Sequence, residues 1–153
     1  MHDLDLDADT LAIYLGPLAK FATRVLPSTG ARVQLGFPLP TLDWAEEDLD
    51  LGELLVPNPL SSYLYRASGW SMILAGIADS AILVVDRSLE PSDGDVVVAT
   101  WEGCQPVCKV LKVYPTHFVL ESRNPHHKPI EIPVGTELEV FSVRSVAHVL
   151  RRH

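Results

Sequence analysis

The sequence predicts a mainly β protein of bent antiparallel sheets, preceded by an N-terminal arm, and three observations carry that expectation. From Tyr63 onward, short runs rich in Val, Ile, Leu and aromatics recur, from "YLYRA" and "AILVVD" to "ELEVFSVRSVAHVL". Turn clusters such as "EPSDGD" and "SRNPHHKP" separate them, as chain reversals require. No internal repeat, low-complexity tract or helix-turn-helix pattern competes with this reading.

The first 35 residues differ from the rest. Asp3, Asp5, Asp7 and Asp9 alternate with small or apolar residues, and "LAIYLGPLAKFATRVL" starts like a helix that Gly16 and Pro17 interrupt. "PSTGAR" reads as loop. Such a segment has little material for a core of its own and is expected to lie as an arm on something larger. In "GFPLP", each proline also pushes its predecessor toward the β region, so the chain is extended there. A compact unit is expected from about residue 41, opening with a short helix near Asp50 to Leu55 that Pro57 and Pro59 end. Candidate strands follow at 63–67, 81–86, 95–101, 107–113, 117–122, 130–132 and 137–150, the last long enough to bend across two sheets.

A chain of 153 residues, 47% hydrophobic and 21% charged, supports one domain with a real core. Its net charge of −8 argues against direct binding to nucleic acid, which needs a basic face. No apolar run is long enough to span a bilayer, and "MHDLDLDADT" is acidic where a signal peptide is basic, so a cytoplasmic protein is expected. Cys104 and Cys108 lie too close in sequence to staple a fold. With His117, His126 or His127 they form only a weak zinc pattern, and neither metal nor cofactor is expected. The carboxylates of "DWAEEDLD" read as a solvated face.

Two residues stand out chemically. Ser71, in "SGWSM", can cap a helical turn formed by "MILAGI", since serine accepts bonds from free helix amides. It can also be a nucleophile at a strand-to-turn corner, where Gly69 lets backbone approach closely. A nucleophilic serine needs a base, and none of the six histidines is selected by its surroundings. The other base is a neutral lysine. Lys109, within "PVCKVLKV", has apolar close neighbours except Lys112, and strand alternation prevents both lysines from facing the core. An inward Lys109 must be neutral or engaged, which makes it a functional candidate; the alternative is an exposed edge strand with Cys108 facing in.

"LGFPLP" at 35–40, "DLDLGELLVPNP" at 48–59, "YRASGWSMILAGIADSAILVVDRS" at 65–88, "GDVVVA" at 94–99 and "KVLKVYP" at 109–115 occur in the order and spacing of UmuD-type proteins, which the chain resembles from Leu35 onward. These are self-cleaving accessory subunits of a translesion DNA polymerase, related to LexA-type repressors and grouped as peptidase S24. The resemblance implies a LexA/UmuD-type C-terminal β domain over 36–153 and an arm, 1–35, docked on it or mobile, that self-cleavage removes. It implies Ser71 as nucleophile and Lys109 as general base, with the cut between Leu35 and Gly36. The lysine assignment requires one inserted residue between Val98 and Lys109; without it Cys108 takes that position. Trp70 stands where the family has a small polar or acidic residue, Leu74 where aspartate is common, and Leu35 is bulkier than the usual residue before the cut.

The implied function is an SOS-response protein that cleaves itself under stimulation by a RecA filament on single-stranded DNA. The trimmed form then joins a UmuC-like error-prone polymerase subunit as a homodimer, with no direct nucleic-acid or membrane contact. The alternative is a non-cleaving interaction module that binds polymerase or RecA through its arm.

Overall fold

The computed structural model describes residues 9–18, 25–27 and 48–151. In chain order the strands are β1 (Leu11–Pro17), β2 (Val25–Pro27), β3 (Asp48–Asp50), β4 (Ser62–Ser68), β5 (Ile82–Asp86), β6 (Val96–Trp101), β7 (Val107–Val113), β8 (Phe118–Glu121), β9 (Ile130–Ile132) and β10 (Leu138–Ala147). A single-turn helix, α1 (Leu51–Leu55), follows β3, and short 3-10 turns span Pro59–Ser61 and Ile73–Ala75. The fold is mainly antiparallel β, as the sequence leads one to expect. The proposed division at Leu35–Gly36 lies outside the described residues.

Local chemistry explains the short helix. The Asp50 side chain accepts from the Glu53 amide, satisfying one of the free donors at the helix start. Pro57 and Pro59 follow too closely for the helix to continue.

Eight strands form one sheet in the order β1-β4-β5-β10-β6-β7-β8-β9. Leu11 of β1 faces Ser68 of β4 on one side and Val107 of β7 on the other, which closes the first six strands of that order into a ring. The long β10 pairs with β6 through Leu138–Ser142 and with β5 through Ser142–Ala147, with an irregularity between Val143 and Ser145 that turns it from one neighbour to the next. Inside the ring, Tyr65, Ala67, Met72, Leu83, Val85 and Val98 form the main core. Val97, Ala99, Leu111, Leu120 and Ile132 form a second cluster.

The helix expected to begin at Leu11 is instead β1. Its segment meets unpaired edges of β4 and β7, and the hydrogen bonds on offer there outweigh a helical preference. Gly16 adopts φ +123°, which no helix tolerates, and the register with β4 slips between Tyr14 and Gly16. The Tyr14 ring packs tilted against that of its cross-strand partner Tyr65, 5.3 Å between centroids. The arm therefore contributes a strand to the sheet.

Candidate active site

Lys109 sits where the edge of β7 changes partner. Before it, the Cys108 amide donates to the Thr10 carbonyl (2.9 Å), in the stretch leading into β1. After it, Val110 pairs with Glu121 of β8. On the opposite edge of β7, Lys109 pairs with Val97 of β6. The strand is thus covered on both sides, and Val107 through Leu111 are all buried. Cys108 and Lys109 are alternatives in the sequence reading but are both enclosed, because a strand packed on two faces buries both sets of side chains. Lys112 reaches the surface near Asp93, at 3.6 Å, in keeping with the alternation.

A fully buried amine needs partners, and among the described residues Lys109 has two: it is ion-paired with Asp9 and donates to the Ser122 hydroxyl. His127 Nδ1 lies 3.7 Å from the same Asp9 oxygen. Of the sequence's two options for an inward lysine, neutral or engaged, the second is realised. Burial pushes the Cys108 thiol up to about 12, only partly offset by the Lys109 charge, so this neighbour is chemically inert.

Ser71 is also fully buried. It does not cap a helix: the 3-10 turn starts at Ile73 behind Met72, with no side-chain cap. Its Oγ instead accepts from the Thr10 amide and donates to Thr10 Oγ1, each at 2.7 Å. Backbone bonds hold this corner rigidly against the segment after β8. Arg123 donates its amide to the Ser71 carbonyl (2.8 Å), Leu74 to the Arg123 carbonyl (2.9 Å), and Asn124 Nδ2 to the Trp70 carbonyl (3.1 Å).

Two adjacent pairs of residues therefore bring Ser71 and Lys109 together. Asp9 and Thr10 contact their functional groups, while Ser122 and Arg123 tie the amine and the serine backbone. Gly69, at φ +119°, makes the close fit feasible: a Cβ there would lie 3.3 Å from both the Asp9 backbone carbonyl oxygen and Thr10 Cα. Its amide is held by Asp79 (2.8 Å), within the "ADSA" turn. Leu35 and Gly36 lie outside the described residues.

Sequence reasoning missed Asp9, Thr10 and Ser122 as parts of this site. Asp9 was visible only as one of four alternating aspartates, and its contact with Lys109 spans 100 residues of chain. Ser122 ended a predicted strand with no pattern marking it.

A buried serine and a buried lysine thus contact two successive residues of one backbone stretch within a β fold. The Peptidase S24-like family profile matches residues 27–143, and the chain belongs to that family as one of its UmuD-type, LexA-related members. It is 43% identical to protein ImpA of Salmonella typhimurium over 87 residues, which cover 57% of this chain and 60% of ImpA. It is 35% identical to protein SamA of the same species over 112 residues, covering 73% and 76% of the two chains. To the LexA repressor of Bacillus pumilus it is 31% identical over 113 residues, covering 74% and 54%. The family is one of serine peptidases that includes LexA-type relatives, and the chain spans about 60% of the length of ImpA. Among the described residues, no helix is long and apolar enough to cross a membrane.

Proposed function

We propose that the protein is a serine-lysine autopeptidase that cuts its own chain between Leu35 and Gly36 and thereby matures into an accessory subunit of an error-prone translesion polymerase. The observation that carries this reading is the enclosure of Ser71 and Lys109 around one dipeptide of backbone. In the reaction, Ser71 Oγ attacks the Leu35 carbonyl carbon while its proton passes to the free amine of Lys109. The tetrahedral intermediate collapses, the carbon–nitrogen bond breaks, and Lys109 returns the proton to the Gly36 nitrogen. Water then attacks the ester on Ser71, again losing its proton to Lys109, which passes it to Ser71 Oγ as the ester bond breaks and residues 1–35 are released. Because substrate and nucleophile share a chain, the effective concentration is high and tight binding is unnecessary.

Such a reaction needs a gate. A RecA filament on single-stranded DNA would supply it by binding preferentially the conformation in which the cut segment fills the cleft, a population shift. The trimmed protein then acts in the cytoplasm as a homodimer with a UmuC-like polymerase subunit. The test is to incubate purified protein with RecA, single-stranded DNA and nucleotide, or alone in alkaline solution. Mass spectrometry should find a fragment ending at Leu35 with wild type and none with Ser71→Ala or Lys109→Ala. Intact wild type under both conditions would favour a non-cleaving module that binds polymerase or RecA.

A further inference from the structure

We propose that the Asp9–Thr10 dipeptide is a built-in inhibitor of the Ser71–Lys109 pair, which it disarms until the first strand is peeled out of the cleft. This rests on the proposed self-cleavage and adds the regulation of the same site.

The segment lies as a bound peptide would. The Thr10 carbonyl accepts from the Cys108 amide and the Ala12 amide donates to the Pro106 carbonyl, both at 2.9 Å, so the backbone augments the edge of β7. Both reactive groups are committed to it. Ser71 Oγ gives its proton to Thr10 Oγ1 and its lone pair to the Thr10 amide. The Lys109 amine is held in an ion pair with the Asp9 carboxylate, and while so engaged it is not offered to the serine proton. The occupant also excludes the substrate. Ser71 is wholly buried, with the Thr10 nitrogen and Oγ1 each 2.7 Å from its Oγ, so the Leu35 carbonyl would reach that oxygen only after this segment leaves.

The inhibitor is built to leave. The Asp9 side chain is 40% exposed, and Ile13, Tyr14 and Leu15 of the following strand are each nearly half exposed. Within β1, Ala12 is the one fully buried side chain, and the strand is otherwise held by its pairing with β4 and by Tyr14 against Tyr63 and Tyr65. An activator that captures the exposed face of β1, or the segment before it, would free the serine hydroxyl and remove the lysine's counterion in one movement.

The full chain carrying Asp9→Ala tests this, with Glu90→Ala as a control for the loss of an exposed acidic charge. Without RecA, Asp9→Ala should cleave at Leu35–Gly36 roughly tenfold faster than wild type, the size expected for losing one ion pair from the resting state. Hydrogen exchange at the Thr10 and Ala12 amides should quicken in parallel, and Glu90→Ala should match wild type in both. Ser71-dependent cleavage at an unchanged or lower rate in Asp9→Ala overturns the inhibitor and leaves the proposed function standing. A fragment ending at Asp9 also overturns it, by making the dipeptide a substrate. Absence of Ser71-dependent cutting in every variant overturns both readings.

Discussion

Asp86 and Lys109 are, among the described residues, the charged side chains wholly hidden from water, yet their partners come from different parts of the chain. Asp86, at the end of β5, is served by Ser88 two residues on and by Asn58 and Ser61, 28 and 25 residues back, within the body of the fold. Asn58 Nδ2 donates at 2.7 Å, Ser61 Oγ at 2.7 Å, and Ser88 through both its amide (2.9 Å) and hydroxyl (2.6 Å). Burial alone would raise its pKa, but these donors outweigh it and hold the carboxyl at about 2. Lys109 depends on a carboxylate borrowed from the arm, 100 residues away in sequence. The first arrangement cannot be undone without unfolding the region, whereas the second comes apart when one strand lifts. A buried charge whose partners all belong to the body of the fold is a fastener; one with a removable partner can be armed.

The sharpest way to break the comparison is to remove each group and ask what is lost. Lys109→Ala should lower the self-cleavage rate by about a thousandfold or more, the scale of an essential general base, while the folded fraction at room temperature stays near that of wild type. Quantified gels of cleavage against time, with circular dichroism of the same samples, would show it. Asp86→Ala should do the reverse. Stranding the Asn58, Ser61 and Ser88 donors should cost about 3 kcal/mol of unfolding free energy in urea titrations, with cleavage of the folded protein unchanged.

Acid separates the two regions more gently. Asp86 has a folded-state pKa near 2 against an ordinary 3.8, so the folded protein holds its proton less tightly than the unfolded chain does. Its contribution is therefore fully present above about pH 4 and is lost as the pH falls toward 2, a change of about 2 kcal/mol. Unfolding free energy measured at steps through that window should show the loss in wild type, and Asp86→Asn should lack that part of the slope.

How much of this was legible beforehand follows from the range of each interaction. The strands from β4 to β10 announce themselves because β-branched and aromatic residues cluster at turn-bounded intervals, and α1 does so through Asp50 and the prolines after it. Each of those signals is local. β1 was misread because "LAIYL" becomes a strand only against edges that β4 and β7 supply. Lys109 could be suspected from its apolar neighbours, but alternation could not decide between it and Cys108, since β7 buries both faces. Asp9 and Ser122 left no trace in sequence because their roles exist only after residues far apart in the chain have met.

The smallest predicted effect concerns Ser122, the partner that Lys109 keeps when Asp9 departs. Its hydroxyl belongs to the segment after β8, which is bonded through Arg123 and Asn124 to the corner carrying Ser71, so it fixes the amine relative to the nucleophile. A positioning bond of this kind is worth about 1 to 1.5 kcal/mol, so Ser122→Ala should slow self-cleavage roughly tenfold and shift stability by less than about 1 kcal/mol. Ser122→Thr, which restores a hydroxyl at the same place, should recover most of the rate. If Ser122→Ala instead cleaves as fast as wild type, the amine finds its place without help from this side. Asp9, and not the body of the fold, would then be the partner that matters to Lys109, and the contrast with Asp86 would be complete.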